Sequence, residues 1–152
     1  MSTLPPTVDP LAAPSAEDRQ WAMAAHLASL ANLVVPFGAI VGPLVVWLTK
    51  RETSSFVDRH GKESLQFQVS FLAYHMVFMC GGIGSFFGAM IAADNVKGAG
   101  EPIAVVAVVG VFGLIGLALL LRVFVIVMMI IAASRANSGE EFRYPLTIRL
   151  LG

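Results

Sequence analysis

The chain has 152 residues, enough for one domain; 57% are apolar, 13% are charged, the mean hydropathy is +0.77 and the formal net charge is zero. Soluble domains carry roughly 45–50% apolar and 25% charged residues, so an ordinary soluble protein is excluded, and without a long basic run nucleic acid is excluded as a partner. The single cysteine, Cys80, excludes an internal disulfide and a thiolate metal cluster.

The N-terminal stretch MSTLPPTVDPLAAPSAEDRQ contains four prolines and no basic residue before Arg19. It lacks the apolar core of a cleavable signal peptide, so the first hydrophobic block is expected to act as an uncleaved signal anchor. Residues 1–16 read as a disordered tail and 17–151 as an integral membrane domain.

Block one, Trp21–Leu48, lies in a thirty-residue run, Gln20 to Thr49, free of Asp, Glu, Lys and Arg. Trp21 and Trp47 bracket it as interfacial anchors do. Its interior, VVPFGAIVGP, places Pro36, Gly38, Gly42 and Pro43 within eight residues, so the helix is expected to be broken at Pro36–Pro43. Two readings follow. One is a single kinked span about 40 Å long; the other is a re-entrant hairpin of Trp21–Val35 and Gly42–Lys50.

The loop TKRETSSFVDRHGKES predicts a turn and then a helix start, with Ser54 or Ser55 as N-cap and Asp58 in the first turn. That helix continues through Gly61 into block two, where Ser64 to Ala93 is again thirty residues without charge. Gly84, Gly88 and Ala92 form a stripe of small residues suited to helix packing. After DNVKGAGEP, block three starts near Ile103, and Pro102 to Leu121 is a further twenty uncharged residues. It ends at SRANSGEE, where Gly139 predicts the stop. Each block reaches or exceeds the ~20 residues that span a ~30 Å hydrocarbon core.

The basic residues orient the chain. Lys50, Arg51, Arg59, Lys62, Arg135, Arg143 and Arg149 share a side in either reading, which places the 50–63 loop and the C-terminus in the cytoplasm. The side of the N-terminus differs between the two.

Polar groups in hydrocarbon are costly and therefore informative. His26, Asn32, Gln68, His75 and Arg122 form a candidate intramembrane polar seam, with Ser64, Gln68 and His75 on one helical face. Interhelical hydrogen bonding fits this set better than a proton or substrate path, since no carboxylate accompanies it. Arg122 fits snorkelling to the interface or a lipid-phosphate contact. His60, Lys62, Glu63, Gln66 and Gln68 stand where a helix start meets the membrane. With Arg143, Tyr144 and Pro145 of the tail they make a candidate cytoplasmic clasp; the alternative is a surface that binds a partner or a lipid head group. No catalytic, metal or cofactor set is recognisable, so no enzyme activity and no cofactor are expected.

Three ordered motifs, WAMAAHLASL…VGPLVVWLTKRE, FVDRHGKESLQFQVS and IIAASRANSGEEFRYPLTIRLL, resemble small bacterial membrane proteins related to the twenty-kilodalton translocon subunit of the chloroplast inner envelope. That family, largely a domain of unknown function, more often has Asn where Gln66 stands. The resemblance spans about residues 17–151. It implies a polytopic protein of the bacterial inner membrane, with HGKES/QFQ and RYPL as signature positions.

Together these features predict an all-α transmembrane bundle of three to four hydrophobic helices. The expected function is non-enzymatic: helix-mediated assembly in the lipid bilayer with a second copy of the chain or with other membrane proteins. The alternative is a component of a protein-translocation or small-solute transport path.

Overall fold

The computed structural model describes residues 13–95 and 100–149. The tail expectation for 1–16 falls mostly outside them. Among the described residues all regular structure is helical: α1 (Ala16–Leu27), a 3-10 helix (Ala28–Leu33), α2 (Gly38–Lys50), α3 (Ser55–Asn95) and α4 (Gly100–Asn137). Two compact units are present. One comprises the described residues up to Val69 together with those from Met128 onward, and the other is Ser70–Val127.

In the first unit, α1 starts within the stretch read as tail. Ser15 forms a capping box with Asp18: the Asp18 N–H donates to Ser15 Oγ, and the Ser15 N–H donates back to Asp18 Oδ2, both at 3.1 Å. Burial opposes ionisation of Asp18, but the side-chain and backbone hydrogen bonds from Ser15 outweigh it and hold the carboxyl below its usual value.

Block one is a hairpin. The break lies at Val34–Phe37, with Pro36 in the turn and Phe37 in the left-handed region at φ +62°. The expected break is corrected at its second end: Pro43 sits inside α2, which starts at Gly38 rather than Gly42. The two arms approach too closely for larger residues. A Cβ on Gly38 would collide with the Ala31 backbone, and one on Gly42 with the Ala28 carbonyl. At the open end, Lys50 Nζ lies 3.3 Å from Glu17 Oε1 and 4.6 Å above the Trp21 ring. Trp21 and Trp47 therefore stand at one end of a hairpin, not at opposite ends of a single span.

Trp47 is fixed against the start of α3. Its Nε1–H donates to Asp58 Oδ1 at 2.8 Å, and a Cβ on Gly61 would lie 2.7 Å from Trp47 Cδ1. Ala22, Phe56 and Ala136 form a core that joins α1, α3 and α4, and small side chains permit that close approach. Gly139 ends α4 as predicted: at φ +79° its N–H donates to the Ala136 carbonyl, and the Glu140 N–H donates to the Arg135 carbonyl, each at 3.0 Å. This is a Schellman closure.

In the second unit, α3 and α4 face each other through apolar side chains. Gly82 lets Leu114 approach, a Cβ there falling 2.9 Å from Leu114 Cδ1. A cavity of about 420 Å³ between them is lined by apolar residues including Phe78, Phe86 and Leu114. Large apolar side chains point outward, among them Val77, Phe87, Val106 and Phe112. Both helices are long and apolar enough to cross a membrane, whereas α2, the shorter apolar helix, has 13 residues.

Candidate functional site

The buried polar groups of the first unit meet where α1, α3 and the C-terminal tail converge. His26 sits one residue from the end of α1 and His60 in the second turn of α3. Their Nε2 and Nδ1 atoms lie 2.9 Å apart, with ring centroids 5.2 Å apart at 85°. Tyr144 Oη lies 3.0 Å from His26 Nδ1. All three side chains are buried. With the Tyr144 hydroxyl donating to His26 Nδ1, the His26 Nε2–H donates to His60 Nδ1, and one tautomer pair serves both contacts. Beyond it, His60 Nε2 is buried without a well-formed hydrogen bond.

One turn further along, Ser64 Oγ–H donates to the Ala25 carbonyl at 2.9 Å and lies 3.4 Å from Ser29 Oγ. Gln68 is buried and its amide donates to Met129 Sδ at 3.4 Å. His26 with His60 and Ser29 with Ser64 are offset by 34 and 35 residues. The 3-10 helix therefore continues α1 alongside α3 in the same direction.

The tail closes over this row. Tyr144 stacks on Phe67 with centroids 4.0 Å apart at 10°, and meets Phe142 edge-on at 5.1 Å. Its backbone N–H donates to Glu63 Oε2 at 3.4 Å. Arg59 Nε pairs with Glu141 Oε1 at 2.7 Å, at exposed positions. Burial, and then the Glu63 carboxylate, push the Tyr144 phenol well above its ordinary pKa. A neutral phenol wedged between imidazole and aromatic rings suits docking; a reactive acid would need the opposite shift.

The remaining residues singled out from the sequence are placed as follows. Lys62 pairs with Asp58 one turn back at 3.0 Å, not with the tail. Gln66 is buried, while Arg143 and Pro145 are exposed beside Tyr144. Asn32 is half-buried near the hairpin tip; His75 on α3 and Arg122 on α4 are exposed. Gly84, Gly88 and Ala92 are exposed too, and nothing lies within 4 Å of a Cβ built on Gly84 or Gly88. Among the described residues no three His, Cys, Asp or Glu side chains gather in a metal-holding group. Phe67 and Glu141 were not singled out from the sequence, and Arg59 only as one of the basic residues that orient the chain, although Phe67 lies one helical turn after Glu63 and so on the same face.

A family model for magnetosome magnetite crystal formation proteins (MamF/MmsF) matches residues 17–151. This corrects the resemblance to the chloroplast translocon family: the motifs that carried it lie within the matched span and belong to another family. No curated protein and no solved structure matches the chain.

Proposed function

The chain belongs to the magnetosome magnetite crystal formation protein family, and from that premise we propose that it serves crystal formation as a non-enzymatic component of the magnetosome membrane. It acts by helix-mediated assembly with a second copy or with other membrane proteins. The match across 17–151 carries the crystal-formation part of this reading. Two apolar membrane-length helices support it, as do their outward-facing large side chains. The exposed Gly84–Gly88–Ala92 stripe on α3 gives a partner helix room for close approach. The His26–His60–Tyr144 set holds elements together and offers no open face to a substrate. By the distribution of basic residues, the 50–63 loop and the tail lie on the cytoplasmic side.

Two measurements test the proposal. Deleting the gene should change the size or number of magnetite crystals seen by electron microscopy, and the wild-type chain should restore them. Unchanged crystals, or absence of the chain from purified magnetosome membranes, would overturn it. A photoreactive residue at Gly88 should crosslink to a second copy or to one defined membrane protein. Adducts with many unrelated secreted chains would favour a translocation path instead.

A further inference from the structure

The tip of the α1–α2 hairpin is apolar and uncovered. Leu33, Val34, Val35 and Phe37 are 69%, 86%, 55% and 69% exposed. An apolar tip facing water would be a liability. Three features of the first unit suit it to lipid instead.

Most of the tip's backbone N–H groups bond within the hairpin. The N–H groups of Val34 and Val35 donate to the Ala31 carbonyl at 3.0 and 2.9 Å, and that of Gly38 to the Val35 carbonyl at 3.0 Å. Those of Ile40 and Val41 donate to the Phe37 carbonyl at 2.9 and 3.0 Å, and Pro36 has no N–H to satisfy. Hydrocarbon makes this demand of any turn that enters it. Charge is also segregated. Glu17 and Lys50 close the opposite end of the hairpin, and the thirty residues between Arg19 and Lys50 carry none. The hairpin is directed as well: because α1 and the 3-10 helix run alongside α3 in the same sense, the tip is carried away from the charged α3 start at Asp58–Glu63 and toward Val69. Its reach is limited by α2, whose 13 residues extend about 20 Å, short of a ~30 Å core.

We propose that Leu33–Phe37 is a lipid-inserting anchor: the hairpin enters the acyl region of one leaflet and returns, so the chain crosses the bilayer twice and both termini face the same side. The occupant of the apolar tip is lipid acyl chain.

The test uses the full chain in phosphatidylcholine–phosphatidylglycerol vesicles, carrying Cys80→Ser and Val34→Cys with an environment-sensitive fluorophore on the new thiol. Blue-shifted emission, loss of intensity with brominated lipid and indifference to aqueous iodide are expected. Quenching by iodide and not by brominated lipid would overturn the proposal. So would Val34–Val34 crosslinking without lipid quenching, which would mean a second copy covers the tip. Tags placed at each terminus should also show the same side in protease protection, and opposite sides would overturn the two-crossing topology. Neither readout depends on crystal formation, so the anchor and the proposed function fail separately.

Discussion

At Tyr144 a single hydroxyl closes the buried row. Tyr144→Phe keeps the stacking on Phe67 but leaves His26 Nδ1 buried without its partner, which costs about 1–3 kcal/mol. Tyr144→Ala also removes the ring and should cost about 3–5 kcal/mol. The Arg59–Glu141 pair is short but about half exposed, so Glu141→Ala should cost at most about 1 kcal/mol. Protease sensitivity of the tail checks the ranking, and a Glu141 effect as large as that of Tyr144→Ala would reverse this account. Tyr144 also gives a pH dependence. Its docked pKa lies above that of a free tail, near ~10. Docking is therefore at full strength below about pH 10 and weakens as pH rises further, because only the undocked phenol ionises readily. A fluorophore on Arg149→Cys should report alkaline release of the tail, and Tyr144→Phe should abolish that transition. The residue types were legible in the sequence as costly polar groups at a membrane edge. Their pairing was not: His26 was grouped with Asn32 and His75, and His60 with the tail, because spacing along one helix says nothing about which ring faces which across 34 residues.

Glycine sets the distance between elements in the hairpin. Gly42→Val would push α2 off the Ala28 backbone, which has no side-chain freedom to yield, and should destabilise the first unit by about 1–3 kcal/mol. Gly61→Val meets the Trp47 ring instead and should shift Trp47 emission as the Asp58 bond breaks. Denaturant titration of the detergent-solubilised protein, followed by tryptophan fluorescence, checks both. A break in block one was readable from its prolines and glycines. That Pro43 continues a helix was not, because the missing N–H leaves only one carbonyl unpaired and packing against the 3-10 helix outweighs that loss. The α4 stop at Gly139 was fully legible, since a left-handed closing residue is a local requirement.

For the whole molecule, membrane integration should not require the C-terminal tail. A chain ending at Asn137 should still resist carbonate extraction from membranes, while the α1–α3 junction becomes protease-sensitive. Extraction of the truncated chain would show that the tail is needed for integration. Length and hydropathy determined the all-helical membrane class, because transfer into hydrocarbon is additive along the chain. The tertiary structure alone decided that block one returns on itself, that both tryptophans share one end, and that Tyr144 reaches His26 across 118 residues. These outcomes depend on close approach and on hydrogen-bond partners supplied by distant segments, which no local pattern encodes.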